Sequence, residues 1–116
     1  MVTEVSMTTI IKAEPGFSVA IVVEHKREGR RFRALDLVSI IAWSIEGGKA
    51  TPMTSDGLVV VADTYFIEQP DRTYRNAPSA PKGWPSRYSD ERDVLQHLNR
   101  VLGPLDGVQI GGRRVA

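Results

Sequence analysis

Residues 31–46 read Arg-Phe-Arg-Ala-Leu-Asp-Leu-Val-Ser-Ile-Ile-Ala-Trp-Ser-Ile-Glu, and the fold class turns on whether this run is helix or strand. Leu35, Val38, Ala42 and Ile45 recur at helical spacing, and Gly47-Gly48 behind them would serve as a helix stop. The competing pattern is stronger. Val38, Ile40, Ile41 and Ile45 are β-branched, stiff at χ1 and suited to a pleated surface, while Ile41, Trp43 and Ile45 alternate with Ala42 and Ser44. Gly47-Gly48 then becomes a two-residue hairpin turn, with 49–54 as the returning strand. Pro52 has no N–H to give a ladder, which puts that strand at a sheet edge. We read the run as a strand.

The flanks support a sheet. Upstream, Phe-Ser-Val-Ala-Ile-Val-Val-Glu at 17–24 is apolar and β-branched enough for a buried strand, and Glu28-Gly29 is a hairpin centre that joins it to the decisive run. A further strand is expected at 8–13, before the turn Glu14-Pro15-Gly16. Downstream, 58–68 is apolar on both faces of its alternation and reads as a central strand.

Pro70, Pro78, Pro81 and Pro85 then fall close together, so 69–88 is expected to be a loop or arm without regular elements. A helix follows at 90–102. Ser89 is its expected N-cap, Asp90, Glu91 and Asp93 suit the first turn, and Val94, Leu95, Leu98, Val101 and Leu102 form one stripe. Gly103-Pro104 stops it, and the remaining 107–116 is expected to be a mobile tail.

A helix this short is not stable alone in water, so its stripe must cover the open face of a sheet. The expected fold is therefore α+β in one domain over 1–116. It has a mainly antiparallel sheet of five to six strands in meander order and one amphipathic helix near the C-terminus; curvature could close the sheet into a partial barrel, which nothing in the sequence decides.

Composition narrows function more than it names it. The 116 residues include no cysteine, which excludes disulfides, thiolate metal sites and a cysteine nucleophile. No basic-then-apolar leader and no apolar run of membrane length is present, so a cytoplasmic protein without membrane contact is expected. Net charge is +1, but 25–33 holds Lys26, Arg27, Arg30, Arg31 and Arg33 against Glu28 alone. Such a basic ribbon could track a phosphate backbone, with Arg113 and Arg114 adding a basic arm. The plainer reading is a solvated hairpin whose like charges guard an edge.

Catalytic chemistry is not legible. No serine stands in a Gly-x-Ser-x-Gly elbow and no glycine loop could cradle phosphate. His25 and His97 are the only histidines, too few for a zinc site without carboxylates, and His97 reads as a surface i, i+4 partner of Asp93. Asp36 and Asp63 interrupt apolar runs and are the one carboxylate pair to weigh as an acid/base couple.

No catalytic residue, metal or cofactor is assigned. In the arm, Pro78-Ser79-Ala80-Pro81 has PxxP spacing. Trp84 is either an anchor onto the domain's own core or an exposed contact for a partner. The leading expectation is a small non-enzymatic interaction protein, homodimeric through a sheet edge or face. The alternatives are a nucleic-acid-associated protein using the basic hairpin and, third, an enzyme of unassigned reaction.

Overall fold

The computed structural model describes residues 9–55, 65–78 and 80–114, except the side chain of Arg113. Its spine is the run that decided the fold class. β3 (Arg30–Glu46) is one continuous strand of 17 residues, and five of the other eight strands among the described residues pair directly with it. At about 3.3 Å per residue such a strand reaches some 50 Å when extended, in keeping with a long axis of 61 Å against 29 and 27 Å.

Along its first half β3 pairs antiparallel with β2 (Ser18–Arg27), from Arg27↔Arg30 to Ser18↔Ser39. The turn between them places Glu28 at φ 52° and Gly29 at φ 78°. Two successive positive φ values give the turn whose twist matches its strands; the same geometry recurs at Gly47-Gly48, φ 58° and 79°.

Along its second half β3 lies between β1 (Thr9–Lys12) and β4 (Lys49–Thr54), both antiparallel to it. Pro52 therefore sits in an edge strand. Between Ile40 and Ala42 the register shifts by one residue at Ile41. A bulge resets the alternation, which is why Ile40 and Trp43, three positions apart, belong to one cluster.

β5 (Tyr65–Glu68) returns beside β2, and β6 (Tyr74–Asn76) and β7 (Arg87–Tyr88) follow as hairpin neighbours. The main path is β1-β3-β2-β5-β6-β7, with β4 off it. The whole is an antiparallel sheet curled into a half-barrel. Of the expected strand at 58–68, residues 58–64 lie outside the described residues.

Two expectations are corrected. The segment 69–88 does hold regular structure, because β6 and β7 fit between its prolines. The stretch 107–116, expected to be a tail, lays β8 (Gly107–Val108) and β9 (Arg113–Arg114) parallel to β3, opposite Phe32–Arg33 and Asp36–Leu37.

The helix α1 (Glu91–Leu102) begins one residue later than expected. Its N-cap is Asp90, whose side chain accepts from the Asp93 N–H at 2.8 Å. Asp93 in turn accepts at 3.0 Å from the N–H of Ser89, the residue before the cap, a relative of the capping box.

Val94, Leu95 and Leu98 are fully buried against Ala20, Leu35, Leu37, Phe66, Tyr74 and Tyr88. Val101 and Leu102, expected in the same stripe, are exposed. The other face of the sheet gathers a second cluster from Ala13, Val19, Ile40, Tyr65, Ile67 and Ala77, with Phe17, Ile21 and Trp43 at its border. Among the described residues only the first face carries a helix.

Candidate functional site

The basic hairpin is divided by its own register. Residues opposite each other in an antiparallel pair share a face, so Lys26, Arg31, Glu24 and Arg33 follow Val22 and Leu35 on the helix side. Arg33 is buried there. Its guanidinium donates to the Asn99 side-chain oxygen and to the Gly103 carbonyl at 3.2 Å, closing the C-terminal end of α1, where a cation also meets the negative end of the helix dipole.

Arg31 donates to Glu24 at 2.7 Å, and this bond holds the Glu24 carboxyl below its usual range. Its backbone N–H goes to Asp106. Only Lys26, Arg27 and Arg30 remain as exposed cations without an acidic partner among the described residues.

Arg114 does not join them. It pairs with Leu37, seven positions up the strand from Arg30, or about 23 Å away at strand spacing. There it donates to Glu68 at 3.1 Å and Ser18 at 3.2 Å. The Arg113 side chain lies outside the described residues; its backbone is level with Asp36. Asp63 also lies outside them, so the Asp36–Asp63 pair cannot be assembled. Among the described residues no group of three or more metal-ligating side chains comes together, and no helix is long and apolar enough to cross a membrane.

Trp84 lies half-buried against the helix-side core, parallel to Phe66 at 6.3 Å and edge-on to His97 at 4.6 Å. It covers His97, whose reading as a surface residue is corrected: the imidazole is 5% exposed, and burial, helped by Arg100 and opposed by Asp93, pushes its pKa down. Its partners Trp84 and Tyr88 come from the proline-rich segment, a contact that local spacing on the helix could not reveal.

The surface that stands out carries no sequence motif. Around the second half of β3 no helix covers the sheet among the described residues. Ile10, Ile11 and Ile41 are 55%, 47% and 46% exposed, and every residue of β1 is exposed. Ile11, Phe17, Trp43, Ile45 and Ile67 line a largely apolar depression of about 360 Å3, with Arg75 at its margin. Phe17 meets the Trp43 ring edge-on at 5.6 Å and fixes its pose.

Beside the depression, β1 pairs with β3 on one side, and no strand pairs its other side among the described residues. Edge strands are usually guarded by charge, proline or a bulge. β1 has Lys12 alone, and because neighbouring residues of a strand face opposite ways, Ile10 and Ile11 make it apolar on both faces. The signal was present in the sequence as Thr-Ile-Ile-Lys, but only the strand order shows that it is an edge.

Comparison of the chain with protein-family models, with curated proteins and with solved structures finds no match.

Proposed function

We propose that this protein is a non-catalytic interaction module that pairs with a second copy of itself through β1. The single observation that carries this reading is the nearly uncharged strand β1, an edge among the described residues, with Ile10 and Ile11 exposed beside an apolar depression. A twofold axis normal to the sheet and centred on Ile11 sets Ile11 against its counterpart. The ladder bonds of β1 continue into the second copy, and the two depressions join into one apolar surface. A second copy suits this edge because the strand is self-complementary about that axis, with no like charges brought face to face at its centre.

Solution mass tests the reading. A dimer is expected at micromolar concentration, and Ile11→Lys, which puts two cations opposite each other on the axis, is expected to give monomer with an unchanged far-ultraviolet spectrum.

A second reading has its own observation, the three exposed cations Lys26, Arg27 and Arg30 at one hairpin tip. Contact with nucleic acid through this tip would show as binding to a mixed oligonucleotide pool at low salt. With about three phosphates neutralised, log affinity should fall against log salt with a slope near −3. Absence of binding at low salt removes this reading.

A further inference from the structure

On the helix side of the sheet, beyond the end of the core, one carboxylate is buried under two guanidinium groups. Glu68 is 3% exposed. It accepts from the Tyr74 hydroxyl at 2.8 Å, from Arg114 at 3.1 Å and from Arg72 at 3.3 Å. Burying a lone carboxylate is costly, and a single arginine with one further donor satisfies it. Counted over Glu68, Arg72 and Arg114 the second arginine leaves one net positive charge; Glu91, which also acts on Tyr74, accepts from the Gly111 N–H at 2.9 Å.

The nearest acid on the Arg72 turn does not cancel it. Asp71 is held by Thr73 and pairs with Arg87 at 3.1 Å.

Donors remain as well as charge. A guanidinium offers five N–H groups; Arg72 uses one on Glu68, and Arg114 uses one on Glu68 and one on Ser18. The side chains of Arg72 and Arg114 are 69% and 48% exposed, whereas that of Glu68 is 5% exposed. The carboxylate is a floor and the arginines are the surface above it.

They border a depression of about 370 Å3 whose other walls include Phe17, Ile40, Pro70 and the Ser39 residue of β3. Four segments distant in sequence meet there: the turn before β2, β3, the β5–β6 turn and the C-terminal β9. The β5–β6 turn is fixed by Arg72 N–H to Gln69 and Gln69 N–H to Thr73 backbone bonds of 2.9 and 2.8 Å, with Arg72 itself in the left-handed region at φ 69°.

We propose that this depression binds a small organic anion, its carboxylate or phosphate held by the free N–H groups of Arg72 and Arg114 and its apolar body lying along Phe17, Ile40 and Pro70. Planar guanidinium forks match either oxyanion, and Glu68 positions both forks from below without touching the ligand. The site shares Phe17 with the depression beside β1, but its two arginines lie outside that surface and its binding does not depend on self-association.

The test is titration of the full chain with phenyl phosphate and with benzoate, followed by calorimetry and by the arginine side-chain N–H resonances, with inorganic phosphate and acetate as the matching bare heads. Saturable binding of at least one aromatic acid, tighter than its bare head, is expected. Preference between the two acids identifies the head group. Arg72→Ala should weaken that binding about ten-fold or more, as loss of a charge-assisted pair does, while the unfolding midpoint is kept because Glu68 retains Arg114 and Tyr74. No saturable binding by either acid overturns the proposal. So does binding unchanged in both Arg72→Ala and Arg114→Gln, or binding no tighter than the bare heads.

Discussion

The two halves of β3 are built from similar residues and end in different surroundings. In the first half Leu35 and Leu37 are sealed beneath α1, and the arginine between the core and the hairpin tip, Arg33, is spent on closing the end of that helix. In the second half Ile41, with Ile10 and Ile11 of its neighbour β1, stays exposed, and Trp43 and Ile45 line an open depression. One helix of 12 residues spans about 18 Å, far less than the strand it lies on. The uncovered half is thus a matter of length: among the described residues there is apolar sheet that no helix reaches. Surface of this kind marks interaction sites more often than scattered single residues do.

Substitutions should separate the two halves in order of size. Leu95→Ala, at a fully buried position under the helix, should cost about 2–5 kcal/mol in urea unfolding. Ile11→Lys should change the unfolding of the dissociated chain by only about 0.5 kcal/mol or less, as surface changes do; comparable losses at the two sites would break the distinction between a closed and an open half.

Arg33→Ala should rank next, at about 1–3 kcal/mol, since it leaves Asn99 and the Gly103 carbonyl without their donor. A loss no greater than that of Arg27→Ala would show that Arg33 belongs with the solvated tip instead.

The helix-covered half should also respond to acid through His97. Because the folded state holds this imidazole below its ordinary pKa, its contribution is complete above about pH 6.5, the value in an unfolded chain. It is lost as pH falls toward and through the folded value, where the unfolded chain binds the extra proton. Urea midpoints between pH 7.5 and 5.5 should fall for the parent and fall less for His97→Gln. Equal slopes would remove His97 as the cause. The smallest effect is expected at the tip, where Lys26→Ser, Arg27→Ser or Arg30→Ser should each stay within about 0.5 kcal/mol.

What the sequence made legible follows the range of the interactions involved. β3 was readable as a strand because its β-branched residues act locally, and the helical spacing of Leu35, Val38, Ala42 and Ile45 is undone by the same local physics. The bulge at Ile41 supplies a phase shift that imitates a longer period. The hairpins at Glu28-Gly29 and Gly47-Gly48 were readable for the same reason. The N-cap was missed by one residue because Ser89 and Asp90 are both competent caps, and the reach of Asp93 back to Ser89 is what selects Asp90.

The long-range partners were not readable. Arg33 finds a helix end 66 to 70 residues away and Arg114 finds Glu68 at a separation of 46, so counting cations overstated the basic patch. His97 is buried by Trp84 and Tyr88, which no pattern within the helix encodes. The exposed edge was written in four residues of β1, yet its meaning depended on knowing which strand lies beside β3 and that none lies beyond it among the described residues.

The claim that the open half of β3 is an assembly surface is tested most directly by light scattering of the full chain over a concentration series, with Ile11→Lys run beside it. The expected result is the mass of two chains at micromolar concentration for the parent and of one chain for the variant. A parent that remains strictly monomeric at the highest concentration reached, or an Ile11→Lys dimer indistinguishable from the parent's, would contradict it.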